Sequence, residues 1–113
     1  RFKLFSETSA YKIIITNMET KTPFDKKDEI LITNTIDKLF NKLASRLYEN
    51  YKISTTNICF CCLLKLFPEY TTEQLACLYN VTTRAIEQRK YRIKKTILGD
   101  DNTSDLISFL KDY

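Results

Sequence analysis

The 113-residue chain has no histidine, one glycine and two prolines, and each scarcity removes something. Without histidine there is no imidazole for acid–base work near neutral pH and no His ligand for a zinc ion. A single glycine, Gly99, leaves no glycine-rich loop to cradle phosphates. Paired carboxylates in an apolar setting are missing as well, since Asp100 and Asp101 are adjacent in a polar stretch where neighbouring side chains diverge. No enzyme is expected. Nor does any run approach the roughly 18 to 20 apolar residues of a bilayer span. The short apolar run from Cys59 to Leu64 lies between Asn57 and Lys65, so no membrane contact by this segment is expected. Nothing resembles a signal peptide, and the chain opens on Arg1 rather than Met, which points to a segment of a longer protein. With 43% hydrophobic residues and so few turn formers, the composition favours a folded, helix-rich domain.

Four cysteines are present, and Cys59 with Cys62 satisfies C-x-x-C. A second ligand pair is absent. Cys59, Cys61 and Cys62 alternate with Phe60, Leu63, Leu64 and Leu66 in an apolar helical pattern, where a free thiol behaves as a small buried hydrophobe. The expectation is a reduced, cytoplasmic protein with thiols in its core and neither metal nor cofactor.

The pattern is all-α. Ser9 to Met18 is ambiguous because of its β-branched run, but no partner strand follows, which favours helix. From Asp25 to Tyr51, residues Ile32, Ile36, Leu39, Leu43 and Leu47 recur at helical spacing, predicting one long amphipathic helix capped by Asp25. Ser54 caps a second helix that ends before Pro68, and Thr71 with Gln74 forms a capping box for a short third. Asn80 stands in a tight turn, with Val81 tucked into the corner, and Thr82 caps a fourth helix. Asn tolerates left-handed backbone angles second only to Gly. A closing helix starts at Asn102 or Thr103 and covers the core with Leu106, Ile107 and Leu110. Residues 1–53 thus form an N-terminal helical arm and linker, and 54–113 a helix-turn-helix domain. Tyr48, Tyr51, Phe40 and Phe60 are read as core.

Charge is concentrated in the fourth helix. Residues 82–95, TTRAIEQRKYRIKK, carry six basic side chains against Glu87, a net +5 in a chain of net +4, leaving about −1 for everything else. Such a localised cationic helix suits duplex DNA, whose phosphates are neutralised by Lys and Arg with release of counterions. With Ile86, Ile93 and Ile97 facing the core, Arg84, Gln88, Tyr91 and Lys95 form an outward stripe beside Thr83, Glu87, Lys90 and Lys94. In a helix-turn-helix the start of the second helix meets base edges and its distal part the backbone. Thr82, Thr83, Arg84, Glu87 and Gln88 are therefore candidates for base or mixed contacts, and Tyr91, Arg92, Lys94 and Lys95 for phosphates. Arg89 is expected to turn toward the core and bond the closing helix or Asp105, while Glu87 has an internal alternative in Arg84, Lys90 or Tyr91. Taken alone, a basic amphipathic helix is more often a solvated face, a surface-lying membrane segment or a partner helix than a DNA reader; the preceding helix and capped turn are what favour DNA here.

The stretch CFCCLLKLFPEYTTEQLACLYNVTTRAIEQRKYRIKKTILG, followed by SDLISFL, resembles LuxR-type helix-turn-helix effector domains, in particular those at the C-termini of Bacteroidetes-type transcriptional regulators. The likeness covers about residues 54–110 and departs from the family at Asn80, where Gly is usual, and at Thr96-Ile97. It implies a winged-helix-like superfamily fold and sequence-specific binding of double-stranded DNA by a helix at about 82–98. It also implies a homodimer on two half-sites, RNA polymerase as an indirect partner, and a cytoplasmic location, as the C-terminal part of a longer membrane-anchored regulator. A competing expectation from the residues alone is a helical dimerisation module whose apolar stripe at 32, 36, 39, 43 and 47 is covered by a partner, the basic helix being merely solvated.

Overall fold

In the computed structural model, which describes residues 1–100 and 104–113, the chain is built of helices, with no strand among the described residues. They are α1 (Phe2–Ser6), α2 (Ser9–Thr20), α3 (Lys26–Leu39), α4 (Leu43–Tyr51), α5 (Thr55–Leu66), α6 (Thr72–Tyr79), α7 (Thr83–Leu98) and α8 (Leu106–Asp112). Most are started by a side chain the sequence advertises. Asp25, Ser54, Thr71 and Thr82 each accept a hydrogen bond from the backbone N–H three residues on, satisfying a donor that the first turn leaves open. Thr8 does the same for α2, which is helical despite Ile13 to Thr16 because Ile14 is fully buried.

The axis of the molecule is α5. Seven consecutive residues, Ile58 to Leu64, are buried, so this helix is apolar on every side and its neighbours α3, α4 and α8 wrap it. Cys59, Cys61 and Cys62 are among the seven and serve as small core residues; Cys77, on α6, is exposed. One core draws on both halves of the chain, from Phe5, Ile14 and Ile32 to Leu75, Ile86 and Leu110. The radius of gyration, 13.4 Å, is what a chain of this length has as one compact body, about 13 Å. Thus α1 to α4 pack down onto the rest. The closing helix is tied at its end by Lys65, whose ammonium donates to the carbonyls of Leu110 (2.7 Å) and Lys111 (3.1 Å).

Three expectations are corrected. The long helix from Asp25 to Tyr51 is two helices, broken at Phe40 to Lys42. Asn41 takes left-handed angles (φ 51) and the Lys42 N–H returns to the Asp37 carbonyl at 2.9 Å, the closure typical of a helix C-terminus. The Asp37 carboxylate then accepts from the Ser45 N–H (2.8 Å) and hydroxyl (2.9 Å), capping the new helix from a distance. Across that break the apolar stripe persists: Ile32, Ile36, Leu43 and Leu47 are fully buried and Leu39 half-buried, so the chain's own core covers it. Tyr48 is not core but 55% exposed, with the Lys52 ammonium 5.0 Å over its ring, while Tyr51 and Phe40 are half-buried and Phe60 fully buried. Finally, α8 is capped by Asp105, which accepts from the Ser108 N–H at 2.7 Å; Asn102 and Thr103, expected to start it, lie outside the described residues.

Candidate nucleic-acid interface

Two short-range devices fix α6 and α7 against each other. In the capping box of α6, Thr71 accepts from the Gln74 N–H (3.1 Å) while Gln74 Oε1 accepts from the Thr71 N–H (2.8 Å). The helix ends at Asn80, which adopts the left-handed conformation (φ 52, ψ 49), and the Val81 N–H bonds back to the Ala76 carbonyl at 3.0 Å. Left-handed angles at Asn80 are what the sequence required of that position. Val81 is half-buried in the corner, and Thr82 Oγ1 accepts from the Ala85 N–H at 3.0 Å to open α7. The connection between the helices is therefore only Asn80, Val81 and Thr82.

On α7, Ile86 and Ile93 are buried at 0% and 3% exposure and Ile97 is half-buried. Because these positions share one side of the helix, the opposite side is turned out. Thr82, Thr83, Arg84, Glu87, Gln88, Tyr91, Arg92 and Lys95 are all exposed, Tyr91 to 65%. Arg84, Glu87, Gln88, Tyr91 and Arg92 border a single shallow concavity of about 440 Å³. Lys94 is set apart from that ridge. It is half-buried and, with Lys90 and Tyr91, lines a groove of about 410 Å³ whose far wall is Leu106 to Ser108 of α8.

The electrostatics are those of a largely unneutralised cationic face. Among the described residues, the ion pair on α7 is Lys95 with Asp100, Nζ to Oδ1 at 3.5 Å, with both side chains more than half exposed. A pair so solvated contributes little and gives way readily to another anion. Asp105, at the mouth of the groove, is held below the usual carboxylate range, first by the backbone N–H of Ser108 and also by the positive charge of Lys94.

Two partners were invisible in the sequence. Glu87 is held neither by Arg84 nor by Lys90: Thr72, in the first turn of α6, donates its hydroxyl to Glu87 Oε1 at 2.9 Å. That bond ties the only acid of residues 82–95 to the neighbouring helix. Arg89 does turn inward, but toward aromatic rings rather than Asp105, its guanidinium carbon lying 5.0 Å from the Tyr79 centroid and 5.3 Å from that of Phe60.

The three buried cysteines form no reactive centre. Burial pushes the Cys59 and Cys61 thiols up to about 12 and Cys62 well above its ordinary value, so none is a thiolate near neutral pH. No group of three or more His, Cys, Asp or Glu placed to hold a metal occurs among the described residues, and no helix among them is long and apolar enough to cross a membrane. Comparison of the chain with family models, curated proteins and solved structures gave no match.

Proposed function

We propose that this chain is the double-stranded DNA-binding effector module of a transcription regulator of LuxR type, with α7 lying in the major groove. A single observation carries the reading. A capped short helix and a three-residue turn lead into a helix whose buried side is Ile86 and Ile93 and whose exposed side holds Arg84, Gln88, Tyr91, Arg92 and Lys95 together. A groove reader needs its cations and its bidentate amide on one protruding ridge, and needs the opposite side anchored.

In this reading Thr83, Arg84, Glu87 and Gln88, in the first turns of α7, address base edges. Arg84 suits guanine O6 and N7, and Gln88 suits adenine N6 and N7. Glu87, already holding the Thr72 hydroxyl through one oxygen, has the other to accept from cytosine N4. Tyr91, Arg92, Lys94 and Lys95 meet phosphates, with Lys95 exchanging Asp100 for the DNA backbone. Thr82 is committed to the cap through its oxygen and contributes at most its hydroxyl hydrogen. A homodimer on two half-sites, an indirect role for RNA polymerase and a cytoplasmic setting within a longer membrane-anchored regulator belong to the same proposal. The competing dimerisation module loses its motivation, because the stripe that called for a partner is covered by the chain's own core.

Titration of a labelled duplex at several salt concentrations tests the reading. Log K should fall linearly with log salt, with a slope reflecting about 4 to 6 phosphate contacts per domain. A flat slope, or no binding across a pool of random duplexes, would remove it.

A further inference from the structure

Arg89 has no place on the ridge, although it belongs to the same basic cluster. Its side chain lies over the edge-to-face pair made by Phe60 of α5 and Tyr79 of α6, whose centroids are 5.6 Å apart with planes at 72°. Here Nη1 is buried without a hydrogen-bond partner among the described residues, and so is Glu29 Oε1 of α3. Burial pushes the Glu29 carboxyl up, and the positive charges of Arg89 and Lys26 pull it back. Helices α5, α6 and α7 therefore meet at one guanidinium, part of which is buried.

We infer that Arg89 is a positioning residue: seated on Phe60 of α5 and Tyr79 of α6, it fixes the rotation of α7 about its own axis and so the direction in which the exposed ridge points. Apolar anchors alone leave that rotation loosely set. Ile86 and Ile93 contact the core without directional demand, so a small roll of α7 costs them little. A planar cation over two rings loses its attraction when it moves off their faces. Rolling α7 would carry Arg84, Gln88 and Lys95 away from a common outward direction. The functional consequence rests on the DNA-binding reading; the structural one does not.

The test has two arms on the 113-residue chain, using Arg89→Met, which keeps the stem, and Arg89→Lys, which keeps the charge without the flat fork. In amide hydrogen exchange, Arg89→Met should speed exchange over residues 86–93 roughly tenfold while residues 58–64 of α5 change little, because a local opening of α7 is separable from global unfolding. Equal acceleration in α5 and α7 would mean a merely structural role and overturn the inference, as would no change at all. If Arg89→Met does not fold, Arg89→Lys decides by the same differential between α5 and α7. In the binding arm, Arg89→Met should weaken duplex affinity roughly tenfold while leaving the salt slope intact, since no phosphate contact is lost. A slope lowered by about 1 would instead make Arg89 a phosphate contact and overturn the inference. Should the unmodified chain bind no duplex, the DNA reading falls alone and the exchange arm still decides the positioning role.

Discussion

Helices α5 and α7 begin alike, each capped by a Ser or Thr oxygen that accepts from the backbone three residues on, and they diverge completely in what surrounds them. Between its cap and Lys65, α5 has no charged residue, and seven successive side chains are buried. By contrast α7, four residues longer, buries two. One helix spends its whole circumference on the core; the other gives one side to the core and keeps the other in water. Because seven of the twelve α5 side chains are enclosed, substitutions at those positions act on the fold. Because the outward side of α7 touches little, substitutions there leave the fold intact and act only on what the ridge binds. The pair therefore separates residues that hold the molecule together from residues free to address a partner.

The sharpest contrast is a truncation in each helix. Leu63→Ala in α5 removes a fully buried side chain and should destabilise the fold by about 2 to 5 kcal/mol in denaturant unfolding, enough to threaten a domain of this size. Lys95→Gln in α7 should stay within about 0.5 kcal/mol in the same measurement. Equal losses would mean that the α7 ridge is part of the core and the distinction is false. Next in size is Arg84→Ala, which should leave unfolding unchanged and cost about 1 to 3 kcal/mol of discrimination at one base position in a duplex selection, relaxing preference there. Uniform weakening across all sequences would reassign Arg84 to the phosphate backbone.

How far the sequence carries this contrast depends on the range of the interaction that sets each feature. Caps at Asp25, Ser54, Thr71 and Thr82 are local, written within four residues, and so is the demand for a left-handed residue at Asn80; all were legible. Burial of Ile86 and Ile93 follows from helical period, again a local signal. The break after Leu39 was missed because the apolar stripe continues through it in phase. Its one local mark is Asn41, and what secures it is Asp37 reaching eight residues on to Ser45. Glu87 with Thr72, fifteen residues apart, and Arg89 with Phe60 join separate helices, and no spacing rule exposes such pairs before the chain is folded. Tyr48 was assigned to the core on residue type, yet it sits one position past buried Leu47, where the helix turns outward.

The smaller predictions ask whether local signals carry energy on both sides of the comparison. Thr82→Ala leaves the Ala85 N–H without its acceptor and should cost about 1 kcal/mol of stability, visible as a lowered denaturation midpoint. Ser54→Ala, whose capping bond on α5 is longer at 3.4 Å, should cost less. The same cost in both would show that bond length in the cap is irrelevant.

Smallest is a pH effect at Asp105. Its carboxylate is stabilised in the fold chiefly by the Ser108 N–H and further by Lys94, so its folded pKa lies below the unfolded value of 3.8. A depressed carboxylate binds protons less tightly when native, so its contribution is fully present above that unfolded value and is lost as pH falls through the folded one. Asp105→Asn retains a capping oxygen for α8 but cannot titrate, and should flatten the acid limb of the stability profile slightly by lowering the neutral plateau toward the acid value. Lys94→Gln should flatten it less, because the backbone bond outranks the lysine. If Lys94→Gln flattens the limb as much as Asp105→Asn does, the lysine is the dominant partner, the groove between α7 and α8 is held together by charge, and Lys94 is no longer free to address a phosphate.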